Sequence, residues 1–272
     1  MSFTTAAVAA AHRSAPPTTA LPTTAPSAAT SRGVAGGTAA ESTREGTCDS
    51  TAASADASAH ASADVTRVGV DAGGLELRSG AFAPKLLQRS ADGRSVRIAL
   101  VGARALLLAG DLVVLHVHVG AGCTLELVEV AATVAYDGRG GPPAIWSTRI
   151  DLAAGARLRW NAEPLIIADG AHLQRSTHID LAAGAVARLR EQLVLGRSGE
   201  SGGAVLLRTR ARLQGRVLLA EDLDLRDPQL RRSPAVLGDH RRLDTFTVLG
   251  EREQAPQALQ LQGPGTLLRN LA

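Results

Sequence analysis

Lysine is nearly missing from this chain: Lys85 is the only one, and 28 arginines supply the rest of the basic charge. Aromatic residues make up 2% of the sequence, too few for the stacking platforms that single-stranded nucleic acids use. Of the two cysteines, Cys48 sits in the Ala/Ser/Thr-rich N-terminal stretch and Cys123 in the body, so a structural disulfide between them is not expected, and a reducing compartment suits them. No apolar run approaches the roughly 20 residues of a bilayer helix. The best candidate, Ile98 to Ala109, is interrupted by Arg104. Several catalytic signatures are absent as well: there is no G-x-x-x-x-G-K-[ST] phosphate loop, H-E-x-x-H or paired C-x-x-C. In Gly196-Arg-Ser-Gly-Glu200 the second glycine comes one position too early for a nucleophile turn. Nucleotide hydrolysis by this chain is not expected.

What is present divides near residue 64. Of the first 64 residues, 40 are Ala, Ser or Thr and one is Leu. Such a segment buries too little apolar surface to offset its ordering entropy, so residues 1–64 are expected to be a disordered extension. Residues 65–272 are long enough for one domain with a sizeable core. That body holds 26 basic and 21 acidic residues, a net charge of +5, well short of a dedicated nucleic-acid binder. The first residues lack the basic start and apolar stretch of a secretory signal, and Glu41, Glu45, Asp49, Asp56 and Asp64 do not suit a transit peptide. A cytoplasmic location is expected.

From Val65 onward the dominant period is two. Leu112–Val119 places Val113, Leu115, Val117 and Val119 on one face. Leu206–Leu213 segregates Arg208, Arg210 and Arg212 from Leu207, Thr209, Ala211 and Leu213. Further strands are expected at 96–101, 124–134, 145–152, 157–160, 165–168, 172–181, 187–195 and 216–225. Helical periodicity is faint, confined to Asp227–Leu237 and the last fifteen residues. Ser147–Ala156 (STRIDLAAGA) recurs as Ser176–Ala185 (STHIDLAAGA), 29 residues on, and His116–Gly122 is a weaker copy 33 residues before the first. Gly122, Gly155 and Gly184 occupy the turn position where a positive φ is needed. The aliphatic pairs Val117/Val119, Ile150/Leu152 and Ile179/Leu181 should face a common core. Units that cannot bury their own apolar faces stack on their neighbours. The expectation is an all-β fold of β-helix-like stacked strand or hairpin repeats, with one or two short C-terminal helices. An ordinary sandwich with two similar hairpins is the alternative.

Two constellations offer chemistry. His116 and His118 share a strand face, and imidazole suits nickel, copper or zinc. However, a stable site needs three or four ligands, no further ligand stands out, and the solvent face of an amphipathic strand is the favoured reading of the pair. The second is a set of carboxylates beside apolar runs: Glu163, Asp169, Glu191 and Glu200. A glycosidase would need two of them facing one groove; otherwise they pair with neighbouring arginines. The Arg208/Arg210/Arg212 stripe is flanked by Glu200, Glu221, Asp222 and Asp224, and reads as an exposed strand face or part of a protein interface.

Several segments, in order, resemble the D-type (also called H-type) urease accessory proteins, the UreD or UreH family, from about Ala83 to Gly250. They are Gly110-Asp111 followed by Val117–Gly122; Ala131–Tyr136 (AATVAY); Leu158–Pro164 (LRWNAEP) with Asp169-Gly-Ala171; and Glu191-x-Leu193-x-Leu-Gly-Arg197 with Gly199-Glu200. The family's motifs read similarly: a GGD turn, AATKxY, LEWLPQ before DGA, and WE-x-L-x-LGR-x-x-GE. This sequence departs from them in Leu106–Asp111 (LLLAGD) for GGLVGGD, in Val134 for the Lys, and in Asn161-Ala162-Glu163 for LPQ. The resemblance implies a non-enzymatic scaffold for urease maturation. It would bind urease apoprotein and an F-type accessory protein, which recruits a G-type GTPase carrying nickel. An internal passage would lead the ion onward, with no stably bound cofactor and nickel only in transit. Glu163, Asp169, Glu191 and Glu200 stand at motif-matching positions as transient nickel-path candidates, with His116 and His118 as weaker ones. The competing readings are a β-helix carbohydrate-active enzyme and a basic nucleic-acid-binding module.

Overall fold

A computed structural model describes residues 64–105 and 107–272. Apart from Asp64, the expected disordered extension lies outside the described residues. Three hydrogen-bonded stacks build the fold. β1 (Thr66–Asp71), β5 (Leu112–Val119), β8 (Ala144–Leu152), β11 (His172–Leu181) and β13 (Ala204–Leu213) run parallel in one sheet. β4 (Ser95–Gly102), β6 (Thr124–Glu129), β9 (Arg157–Asn161) and β12 (Val186–Leu195) run parallel in a second. The short strands β7 (Thr133–Ala135) and β10 (Leu165–Ile167) stack on the last residues of β12. One coil therefore runs β5–β6–β7, the next β8–β9–β10 and the next β11–β12, which is a β-solenoid.

The sequence repeat is the coil. Ile150, Asp151 and Leu152 lie in register with Ile179, Asp180 and Leu181, and Val117 and Val119 with Ile150 and Leu152. All six aliphatic side chains of these pairs are buried. Gly122, Gly155 and Gly184 take φ of 65°, 66° and 68°, and their turns are bonded to one another: Gly122 N–H donates to Ala154 O and Gly155 N–H to Ala183 O.

A stack of parallel strands leaves open edges at both ends, which invite pairing with other chains unless covered. Antiparallel hairpins extend it here. β2 (Gly74–Arg78) pairs with β1, and β3 (Phe82–Arg89) with β4. β14 (Arg216–Asp224) pairs with β13, and β15 (Arg242–Leu249) with β12. β17 (Gly265–Leu271) adds to β15, and β16 (Leu259–Gln260) to β17. Of the one or two short C-terminal helices expected, one forms. Only one turn, α1 (Pro228–Arg231), forms in Asp227–Leu237, with Asp227 Oδ1 accepting from Gln229 N–H and Leu230 N–H. The last fifteen residues are strand instead, because β17 buries Thr266 and Leu267 against the sheet. Residues 124–134, expected as one strand, break at 130–132 to turn the corner between two stacks. Among the described residues no helix is long and apolar enough to cross a membrane.

Candidate functional site

The core between the two large sheets is not uniformly apolar. Near the glycine turns it is aliphatic, with Val119, Leu152 and Leu181 facing Leu125, Leu158 and Ala187. Further along, the inward positions become polar. Across the first sheet Thr148, Thr177, Thr209 and Glu221 are consecutive register partners. Across the second, Glu191 is in register with Thr245, and Thr245 with Arg269. Arg269 is ion-paired with Glu221, which closes the two rows onto each other. Arg175, Thr177, Thr209, Glu191, Thr245 and Arg269 are among the residues lining a cavity of about 50 Å³, room for about three or four water molecules.

At the other end of this polar zone lies Glu129. It follows Leu125 and Leu127 at inward parity on β6. Its carboxylate accepts from Trp160 Nε1–H at 3.2 Å and from Glu163 N–H at 3.2 Å. Burial pushes its pKa up to about 7; the charge of Arg175, the Glu163 N–H and the indole N–H oppose the rise, and Glu191 adds to it. Glu129 also lines a pocket of about 250 Å³ with Phe82, Leu100, Val130 and Tyr136, and Val130 and Tyr136 are exposed. Between Glu129 and the cavity stands Arg175, 8% exposed. Its Nη2 lies 2.7 Å from Glu191 Oε1, and its guanidinium sits 4.6 Å from the ring centroid of Trp146. A polar row thus leads from one surface pocket, past Glu129, Arg175 and Glu191, to a second, partly open pocket and the Glu221–Arg269 pair.

The residues singled out from the sequence are distributed unevenly about this row. Glu191 is in it. Glu163 is exposed on the outer side; Arg190 nearby has its pKa raised chiefly by its hydrogen bond to Asp244, with a smaller contribution from the Glu163 charge. Asp169 and Glu200 lie together in neighbouring corner loops. Asp169 Oδ1 accepts from Ser201 N–H and Gly202 N–H at 2.9 and 2.6 Å, while Glu200 Oε2 accepts from Asp169 N–H and Arg197 N–H at 3.2 and 2.9 Å. The DGA and LGR-x-x-GE segments thus staple each other. Arg197 holds the Glu200 carboxyl down to about 2. His116 and His118 lie on the outer face of β5; His116 Nδ1 is 3.3 Å from Arg67 Nη1, and His118 is exposed. Cys123, beyond the turn, is buried in the core, away from both. Arg208 and Arg210 pair with Asp222 on the outer face. Among the described residues no three His, Cys, Asp or Glu side chains gather in a way that could hold a metal ion. Nor do the four candidate acids face one groove, as glycoside hydrolysis would require.

Sequence reasoning missed Glu129 and Arg175. The signal was parity: each continues an alternation of core positions, Leu125-Leu127-Glu129 and Leu173-Arg175-Thr177-Ile179, where an apolar residue is the norm.

Comparison with known proteins places this architecture. The family described as UreD urease accessory protein matches residues 53–269. A urease accessory protein UreD 1 of Streptomyces griseus is 50% identical over 200 residues, covering 72% of this chain and 77% of its own. The UreD of Streptomyces avermitilis is 37% identical, with 69% and 76% covered. That of Frankia alni is 36% identical, with 65% and 69% covered. With the solenoid, its motif-bearing corner loops and the match over most of its length, this chain belongs to the UreD family of urease accessory proteins and has a role in urease maturation.

Proposed function

We propose that the chain is a non-catalytic scaffold that binds urease apoprotein and an F-type accessory protein, with a G-type GTPase joining through the latter. In this reading it acts in the cytoplasm and passes nickel toward the urease active site through its interior. The observation behind the internal route is the polar row from Glu129 to the Glu221–Arg269 pair, set in a core that is otherwise aliphatic. Buried polar groups cost free energy unless compensated, so a row of them between two sheets calls for a role beyond packing. A transit path needs sites that hold an ion and also release it. Carboxylates spaced along a passage with room for water meet that need better than a closed ligand set. Of the candidate acids, Glu191 is assigned to the path and Glu129 joins it. Asp169 and Glu200 are assigned to the corner loops as structural staples, and Glu163 to the surface.

The test is co-expression of urease subunits with the accessory proteins, with and without this chain. Urease made without it should be nickel-poor and inactive, and affinity capture of the tagged chain should retrieve urease subunits and the F-type protein. Fully nickel-loaded urease in its absence would refute the assignment.

A further inference from the structure

After β14 the chain turns back over the corner loop 195–203 through α1 and residues 232–241, and two arginines hold this crossing. Arg231, 6% exposed, donates to the carbonyls of Gly203, Ser201 and Gly202. Arg241 donates from Nε and Nη2 to Leu195 O at 2.9 and 2.7 Å, and from Nη2 to Arg197 O at 3.0 Å. These acceptors are all neutral, and among the described residues neither guanidinium has an ion-pair partner. The Nη1 group of Arg241 and the exposed guanidinium of Arg232 make no bond there either. Burial and the charge of Arg232 push the pKa of Arg231 down, with Asp169 opposing. Elsewhere on the exterior arginine is matched by carboxylate, as Arg188 is by Glu251, Arg210 by Asp222 and Arg226 by Asp224. Here it is not. Arg231, Arg232 and Arg241 line one surface pocket of about 340 Å³ together with Glu200 and Asp239. Glu200 is ion-paired with Arg197, so three guanidiniums face Asp239 and leave an excess of two positive charges.

We propose that this pocket is a docking site for a carboxylate-bearing segment of a protein partner, held by Arg232 and Arg241 beside the fixed charge of Arg231. This rests on the scaffold role proposed above and names the chemistry of one of its contacts. Guanidinium groups match carboxylates in geometry as well as charge. The carbonyl bonds already fix Arg231 and Arg241, so binding costs little of their rotamer entropy. A charge set among neutral acceptors and partly desolvated attracts an incoming anion more strongly than one at an open surface. Leu195 and Leu237, both buried, also line the pocket and offer the methylenes of a Glu side chain an apolar contact. A nucleic acid fits less well. The carboxylates of Glu200 and Asp239 interrupt the basic surface that a phosphate backbone would follow, and no Phe, Tyr or Trp lines the pocket to stack a base.

The test uses the purified full-length chain and an oligoglutamate peptide carrying an uncharged fluorophore, without urease, so a negative result would leave the maturation role untouched. Fluorescence anisotropy at physiological salt should show saturable binding of this peptide and none of an oligoglutamine control. Arg232→Glu alters an exposed side chain with no partner among the described residues, and should weaken binding about tenfold or more. Arg216→Glu makes the same charge change on an exposed residue outside the pocket, and should leave the affinity unchanged. If Arg232→Glu lowers the thermal midpoint, Arg232→Gln reads the same contact without an added negative charge. In co-expression, the tagged Arg232→Glu chain should retrieve less of the urease subunits or of the F-type protein than the Arg216→Glu chain does. The proposal is overturned if the Arg232 variants bind oligoglutamate as tightly as the native chain, or if Arg216→Glu weakens binding equally. It is also overturned if an oligothymidylate binds through Arg232 more tightly than the peptide, or if Arg232→Glu retrieves both partners at the native level.

Discussion

Glu129 shows how a single side chain senses its surroundings. Its pKa of about 7 lies above the ordinary 4.5 because burial disfavours the carboxylate. From about pH 4.5 to 7 the folded state holds a proton that the unfolded state has released. Stability therefore falls as pH rises through that window and levels off above it. The loss is at most about 3 kcal/mol, less in so far as the residue keeps some contact with solvent. Glu129→Gln should flatten this part of a pH–stability profile measured by denaturant unfolding. Glu200 behaves in the opposite sense. Its carboxyl is held down to about 2 by Arg197, so its contribution is complete above about pH 4.5 and disappears as pH falls toward 2. Protection of the Asp169 and Arg197 amides, measured by hydrogen exchange against the intrinsic rate at each pH, should fall over that acid range before the solenoid unfolds. These roles were only partly legible in the sequence. Their position beside apolar runs, and then motif resemblance, singled out Asp169 and Glu200 but not that they bond each other's loops. Glu191 was found by resemblance too, whereas Glu129 and Arg175 required following strand parity into positions normally reserved for leucine or valine.

At the scale of elements, the strand–turn–strand unit was the most readable feature, because its repeat is imposed by stacking. Each coil places its aliphatic pair over the last, and the glycine turn recurs where the chain must adopt a left-handed conformation. An added Cβ at Gly155 would meet only Gly122 N, at 4.0 Å, so Gly155→Ala isolates the cost of its φ of 66°. It should destabilise the protein by about 1 kcal/mol, read as a shift in denaturant midpoint with an unchanged slope. The C-terminal segment was misread for a reason equally local. Leu267-Leu-Arg-Asn-Leu271 has helix-compatible residues, yet the open edge of β15 offers a ladder of hydrogen bonds, and pairing with it overrides propensity. The helix in Asp227–Leu237 stops after one turn where Ser233-Pro234 follows, since proline has no N–H for the ladder and disfavours helical backbone at the residue before it; Arg231, at its end, is turned inward. Its guanidinium donates to the carbonyls of Gly203, Ser201 and Gly202 at 2.7, 3.2 and 2.8 Å.

For the whole molecule, the architecture separates two kinds of surface. The outer faces bear arginine–carboxylate pairs such as Arg149 with Asp151 and Asp180, and Arg190 with Asp244. Exposed pairs of this type add little stability; they leave the exterior open to protein partners. The interior combines an aliphatic half that holds the stack together with a polar half that runs between two pockets open to the surface. In the proposed role, partner binding belongs to the exterior and ion transit to the interior, so a mutation in one should spare the other. Glu191→Gln tests this separation most directly. Urease co-expressed with the variant should be captured with the accessory complex as efficiently as with the native chain, while nickel bound per urease active site accumulates more slowly. Nickel loading at the native rate, with the Glu191→Gln chain demonstrably folded and assembled, would contradict an internal route through this carboxylate.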